Sequence, residues 1–148
     1  MELNQLSSKL TYIGCGVRKI ETNCEMLSIS NSNRREFGLD IKFKTRKAED
    51  GKKIGHLRMQ ISAKVYPEND RTPDSFCLTL EGLFSTSEET SDEEFVDLLN
   101  INGATALYSI ARARIEEISS LTYAEGKIVL PMINIIQFYE DRRQSEGN

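Results

Sequence analysis

The chain has 148 residues, of which 39% are hydrophobic and 28% are charged, and its net charge is −4. This length and apolar content exclude a chain that is disordered throughout, and we expect one domain over residues 1–148 with flexible ends at about 1–8 and 144–148. No apolar run approaches the ~18 residues that cross a bilayer, and the N-terminus lacks the layout of a signal peptide, so a cytoplasmic protein without membrane insertion is expected.

The first half of the chain is predicted to form strands, because its apolar residues recur at every second position. An Asp50-Gly51 pair in the connection Lys47–Lys52 favours a tight hairpin between two of these strands. The predicted strands are Leu10–Thr22, Phe37–Thr45, His56–Tyr66 and Phe76–Phe84.

After Ser85 the apolar period becomes helical. Ser91 and Glu94 have the spacing of a capping box and predict the start of a short helix, which Gly103 is expected to separate from a longer one. The longer helix carries an apolar stripe from Leu107 to Thr122, and a terminal amphipathic helix is predicted over Ile135–Arg143.

Strands followed by helices indicate an α+β fold, a four-stranded antiparallel sheet with helices packed on one face. Such a sheet has two long edge strands, and edge strands in natural proteins are covered or paired. We therefore expect self-association.

The sequence offers no catalytic residues and no metal site. His56 is the single histidine and has no partner at ligand spacing, and Cys15, Cys24 and Cys77 include no Cys-x-x-Cys pair. Serine-hydrolase, zinc-protease and nucleotide-binding motifs are absent, so we expect a protein that is not an enzyme and needs no cofactor.

A basic strand face keeps nucleic-acid binding open as an alternative of another class. Before Thr72 the chain has 14 basic and 9 acidic residues, and the remainder has 5 and 14. Base stacking needs exposed aromatic side chains, however, and Tyr66 is the only outward aromatic predicted on these strands, which argues against this alternative. The basic residues of the face are Lys42, Lys44, Arg46, Arg58 and Lys64.

Three segments of the second half resemble the SecB family of export chaperones. Glu81-Gly82-Leu83-Phe84 is similar to a strand end of that family, residues 107–112 (LYSIAR) to its LFPYAR helix motif, and residues 130–135 (LPMINI) to the LxPVNF segment before its last helix. Their order, together with four strands followed by helices, extends the resemblance over nearly the whole chain.

The resemblance implies an ATP-independent holdase that binds unfolded or slow-folding polypeptides, either for protein export or as the chaperone of a toxin-antitoxin system. It implies a homodimer with one continuous eight-stranded sheet, or a homotetramer of two such dimers. Phe76, Leu78 and Leu80 fall where the family places residues that affect tetramer formation. The residues expected to line its client-binding groove are Leu83, Phe84, Tyr108, Ile136 and Phe138.

The chain departs from the family at the surface that docks the SecA motor. The positions that match the family's acidic docking residues are Lys19, Asn23 and Cys77, and the neighbouring hydrophobic position is Ser75. A cation stands where the family has an anion, which argues against SecA as the partner of this sheet surface.

Overall fold

The computed structural model describes residues 8–69 and 71–147, which form one sheet and three α-helices. The strands are β1 (Thr11–Asn23), β2 (Arg35–Lys47), β3 (Lys53–Val65) and β4 (Asp74–Thr86), and the helices are α1 (Asp92–Leu98), α2 (Ala104–Thr122) and α3 (Ile135–Glu146). The ends predicted to be flexible fall partly on residues 1–7 and 148, which lie outside the described residues. At the other end, α3 extends three residues past its predicted end at Arg143.

The sheet is antiparallel throughout, with the strand order β1-β4-β3-β2. The β2–β3 hairpin turns through Gly51, whose φ of 85° suits glycine, as the Asp-Gly pair predicted. Both β1 and β2 are edge strands, and β1 contains two register shifts, next to Gly14 and next to Arg18.

The alternation of side chains gives the sheet two chemically different faces. The inner face carries Leu57, Met59 and Ile61 of β3 beside Phe76 and Leu78 of β4, all of them buried. The outer face carries the intervening polar residues, and the helices cover only the inner one. The predicted α+β architecture with helices on a single face is therefore confirmed.

The first two helices are joined without a break, contrary to the prediction that Gly103 would separate them. A single π-helical turn, Leu99–Gly103, links α1 to α2, and its flanking residues keep helical backbone angles. A side-chain carbon at Gly103 would lie 3.0 Å from a methyl group of Leu57. The glycine brings the helix close to β3, and it does not end the helix.

No helix in the described part of the chain is long and apolar enough to cross a membrane.

Candidate functional site

A cleft opens between α2 and the extended segment that leads to α3. Tyr108 of α2 donates a hydrogen bond to the carbonyl oxygen of Pro131 (2.6 Å), and the Nε of Arg112 donates to that of Leu130 (3.1 Å). These two bonds hold the segment against the helix. We call the space beside them, about 390 Å3 in volume, the α2 cleft.

Apolar side chains dominate the α2 cleft and stay accessible to solvent. Met132 is 82% exposed and Ile136 is 51% exposed. Burial raises the pKa of the Tyr108 hydroxyl, with Arg112 opposing that shift, so the hydroxyl stays neutral and keeps its proton to donate. No carboxylate lines the cleft in the described chain. Its lining residues are Ile101, Thr105, Tyr108, Ser109, Arg112, Met132, Ile133, Asn134, Ile135 and Ile136.

A second concavity, about 340 Å3 in volume, lies between α3 and β2, and we call it the α3 cleft. Arg142 donates to the carbonyl oxygen of Ile41 at the free edge of β2 and lies 3.7 Å from the carboxylate of Asp40. Tyr139 donates to Asp97 (2.8 Å), and burial is the main cause that raises the pKa of its hydroxyl. These contacts hold α3 over part of the β2 edge.

The inner face of β1 forms a third apolar surface, because α2 packs mainly on β3 and β4 and leaves several side chains of β1 exposed. Tyr12, Val17 and Ile20 point to this side, opposite Phe84, Leu80 and Leu78 of β4, and are between 40% and 51% exposed. We call these three residues of β1 the β1 shelf.

The five residues predicted to line one groove do not lie together. Tyr108 and Ile136 share the α2 cleft, whereas Phe138 lies in the α3 cleft. Phe84 is a core residue, only 1% exposed, and its ring packs against that of Tyr12. Leu83 lies on the outer face, since adjacent residues of a strand point to opposite faces.

The three residues predicted to affect oligomer formation are buried within their own protomer. Phe76, Leu78 and Leu80 lie on the inner face, and the Phe76 ring packs against Tyr123 (5.9 Å between ring centroids). They have almost no surface left with which to contact another protomer directly.

The four residues predicted to match the SecB family's motor-docking surface all lie on the outer face. Lys19 pairs with Thr79 across strands, Asn23 pairs with Ser75, and Cys77 accepts a hydrogen bond from Gln60 (3.4 Å). The ammonium group of Lys19 lies 3.2 Å from the carboxylate of Glu21. Glu21, on the same strand, therefore partly neutralises the positive charge of Lys19.

One ionisable cluster was not predicted from the sequence. Strand pairing brings His56 to 3.7 Å from Glu81, and Arg18 and Arg58 lie 3.8 and 3.7 Å from the same carboxylate.

Among residues 8–69 and 71–147, no three histidine, cysteine or acidic side chains are grouped to hold a metal ion. Burial also raises the thiol pKa values of Cys15 and Cys24, which favours the protonated, less nucleophilic form.

The architecture defines the class of the fold. A four-stranded antiparallel sheet with α2 and α3 packed on one side is the SecB-like fold. No protein-family model matches the chain, and no curated protein matches its sequence.

Two solved structures illustrate the likeness. The chain is similar to the SecB-like chaperone Rv1957 of Mycobacterium tuberculosis, which was solved in complex with a ChAD peptide from the antitoxin Rv1956 HigA1; the TM-score is 0.69 at 11% identity, over 88% of this chain and 95% of that one. It is also similar to a protein of unknown function from Streptococcus agalactiae, with a TM-score of 0.50 at 11% identity, over 83% and 97% of the two chains. At these identities the likeness shows the fold.

Proposed function

We propose that this protein is an ATP-independent holdase that binds unfolded or slow-folding polypeptides and catalyses no reaction. The observation that carries the proposal is the exposed apolar lining of the α2 cleft. Met132 and Ile136 remain open to solvent beside Tyr108, whose own polar atom is already bonded to Pro131. The SecB-like fold supports the same function.

Binding in such a cleft tolerates many client sequences. Burial of apolar surface is worth about 25 cal/mol per Å2 and has no direction, so one methionine, leucine or phenylalanine of a client contributes roughly 1.5–3 kcal/mol when fully covered. The flexible thioether of Met132 adapts to side chains of different shape. Affinity then increases with the number of client side chains that find the α2 cleft, the α3 cleft or the β1 shelf.

Two cellular roles fit this apolar client binding: protein export and the control of an antitoxin. The similar Rv1957 structure contains an antitoxin peptide, which makes an antitoxin segment a specific candidate client. For export, the outer-face positions Lys19, Asn23, Ser75 and Cys77 lack the acidic side chains with which SecB-like proteins would meet a SecA-type motor. We therefore propose client holding without assigning SecA as a partner.

We further propose that the protein assembles as a homodimer or homotetramer through β1. Within residues 8–69 and 71–147 no strand pairs with the free edge of β1, and the β1 shelf is exposed next to that edge. The β2 edge is less accessible, because Arg142 of α3 donates to the carbonyl oxygen of Ile41. Pairing two β1 edges would extend the sheet and bring the two shelves side by side on one face, where their side chains can contact each other.

The cleft assignment is tested with a permanently unfolded, reduced and carboxymethylated polypeptide that carries a fluorescent label. The double variant Met132→Ser/Ile136→Ser removes two exposed apolar side chains from the α2 cleft, and we expect about tenfold weaker binding by anisotropy. The matched control Leu27→Ser/Leu121→Ser removes two exposed leucines outside the cleft and is expected to change the affinity by less than about twofold.

Equal losses in the two double variants would show that clients do not use the α2 cleft. If the wild-type protein does not bind the unfolded polypeptide at any salt concentration, the holdase proposal itself is wrong.

A further inference from the structure

The outer face carries a basic cluster at the end of the sheet where β2 and β3 meet their hairpin. Its members surround a shallow concavity of about 620 Å3 that also includes His56 and Glu81. The basic cluster consists of Lys42, Lys44 and Arg46 on β2 and Arg58 on β3.

The positive charge of the basic cluster is largely unbalanced. In the described ranges, no carboxylate lies within 4.0 Å of the charged groups of Lys42, Lys44 or Arg46, whereas Glu81 is shared between Arg18, Arg58 and His56. The four cations and one carboxylate around the concavity give it a net charge of +3 with neutral histidine. The whole chain has a net charge of −4, so the cluster is opposite in sign to the protein that carries it.

The spacing of the cations selects an extended ligand. Lys42, Lys44 and Arg46 are alternate residues of a regular strand, so their side chains leave the sheet about 7 Å apart. Alternate side chains of an extended peptide have the same spacing, and carboxylates at every second position would each face one cation. We propose that the basic cluster is a docking site for an extended, acidic segment of a partner polypeptide.

A single-stranded nucleic acid fits the cluster less well. Sheet surfaces that bind single strands present aromatic side chains on which bases stack. Phe43 also lines the concavity, but it pairs with Leu57 on the inner-face side of the strand, so the imidazole of His56 is the one aromatic ring on the outer face among the lining residues. Tyr66, near the far end of the sheet, is covered by the Arg34 guanidinium (3.7 Å from the ring centroid) and bonded to Glu36 (3.0 Å).

The proposed docking site does not overlap the α2 cleft, which carries the holdase proposal, although Lys42 and Lys44 also line the α3 cleft. It lies on the opposite side of the sheet from the α2 cleft. Lys42 and Arg58 also line a neighbouring concavity of the outer face that includes Lys19. An acidic segment can therefore bind while the cleft holds a client. The two proposals can fail separately.

The test is fluorescence anisotropy of a labelled peptide of alternating glutamate and serine, with an alternating lysine–serine peptide and an oligothymidine strand as competitors. We expect the wild-type protein to bind the acidic peptide, and the variant Lys42→Gln/Lys44→Gln/Arg46→Gln to bind it at least about tenfold more weakly. The control Arg71→Gln/Arg114→Gln/Lys127→Gln removes the same charge from exposed positions away from the hairpin and is expected to keep the affinity within about twofold.

Circular dichroism verifies that both triple variants fold. The single variant Lys44→Glu, which reverses one charge at the centre of the cluster, provides a second test. Absence of acidic-peptide binding to the wild-type protein would overturn the proposal, as would equal losses in the test and control variants. Displacement of the acidic peptide by oligothymidine at lower concentration than by unlabelled acidic peptide would overturn it in favour of nucleic acid.

Discussion

Asp74 joins three parts of the chain through one buried carboxylate. It is 2% exposed, and it accepts hydrogen bonds from the backbone N–H groups of Glu25 (2.8 Å) and Met26 (3.3 Å) and from the Tyr123 hydroxyl (2.9 Å). A buried carboxylate is tolerated only when donors surround it. These bonds fix the end of α2 and the segment after β1 to the start of β4.

Removal of this carboxylate should destabilise the fold strongly. Asp74→Ala leaves the buried Tyr123 hydroxyl and two part-buried N–H groups without their acceptor, and we expect the free energy of unfolding to fall by about 2–4 kcal/mol. Tyr123→Phe removes only one of the three bonds and should cost about 1 kcal/mol. Urea unfolding measures both, and a loss below that of Tyr123→Phe for Asp74→Ala would contradict this role.

Single residues also show what the sequence could and could not predict about the site. Alternation along β4 already placed Phe84 on the face of Phe76 and Leu78, and Leu83 on the other, so a groove shared by Leu83 and Phe84 conflicted with the strand period. Met132 was not predicted, because its segment has no period. Its place depends on the distant hydrogen bonds that Tyr108 and Arg112 donate.

At the scale of elements, β3 and β4 agree most closely with the alternation that the sequence predicts, since buried and more exposed residues alternate along all 13 residues of each strand. Of the two hydrogen bonds of the predicted capping box, one is present: Ser91 accepts from the N–H of Glu94 (3.1 Å). The Glu94 carboxylate pairs with Lys9 instead (2.8 Å). The continuous α1–α2 helix was missed, because the close approach to Leu57 that requires Gly103 is a tertiary contact.

The last helix is weakly attached, and we expect it to open locally. Ile135 is the only buried residue of α3, whereas α2 has six. Hydrogen exchange should therefore show markedly faster exchange in α3 than in α2, since local opening costs less where few apolar contacts break.

Arg142→Gln removes the donor to Ile41 and should increase exchange in α3 further, roughly several-fold. The matched control Arg114→Gln removes an exposed arginine of α2 and should leave exchange in α3 unchanged. Equal protection of α2 and α3 in the wild-type protein would contradict the weak attachment of α3.

At the scale of the whole molecule, substitutions on the two edge strands are expected to affect the oligomeric state differently. Val17→Lys/Ile20→Lys puts charge on the β1 shelf and is expected to give a monomer of 16.8 kDa by light scattering, because buried lysines at a strand interface are costly. Phe37→Lys/Phe43→Lys alters two comparably exposed apolar residues of β2 and should leave the oligomer intact. Dissociation by the β2 pair alone would place the interface at the other edge.

The holding of unfolded clients is best tested by the light-scattering mass of the purified protein, with and without a permanently unfolded polypeptide, at low and at high salt. We expect an oligomer that captures the polypeptide and keeps it soluble at both salt concentrations, because apolar burial is not screened by salt. A protein that leaves the polypeptide free, or that captures it only at low salt, would contradict the claim that exposed apolar surfaces hold unfolded clients.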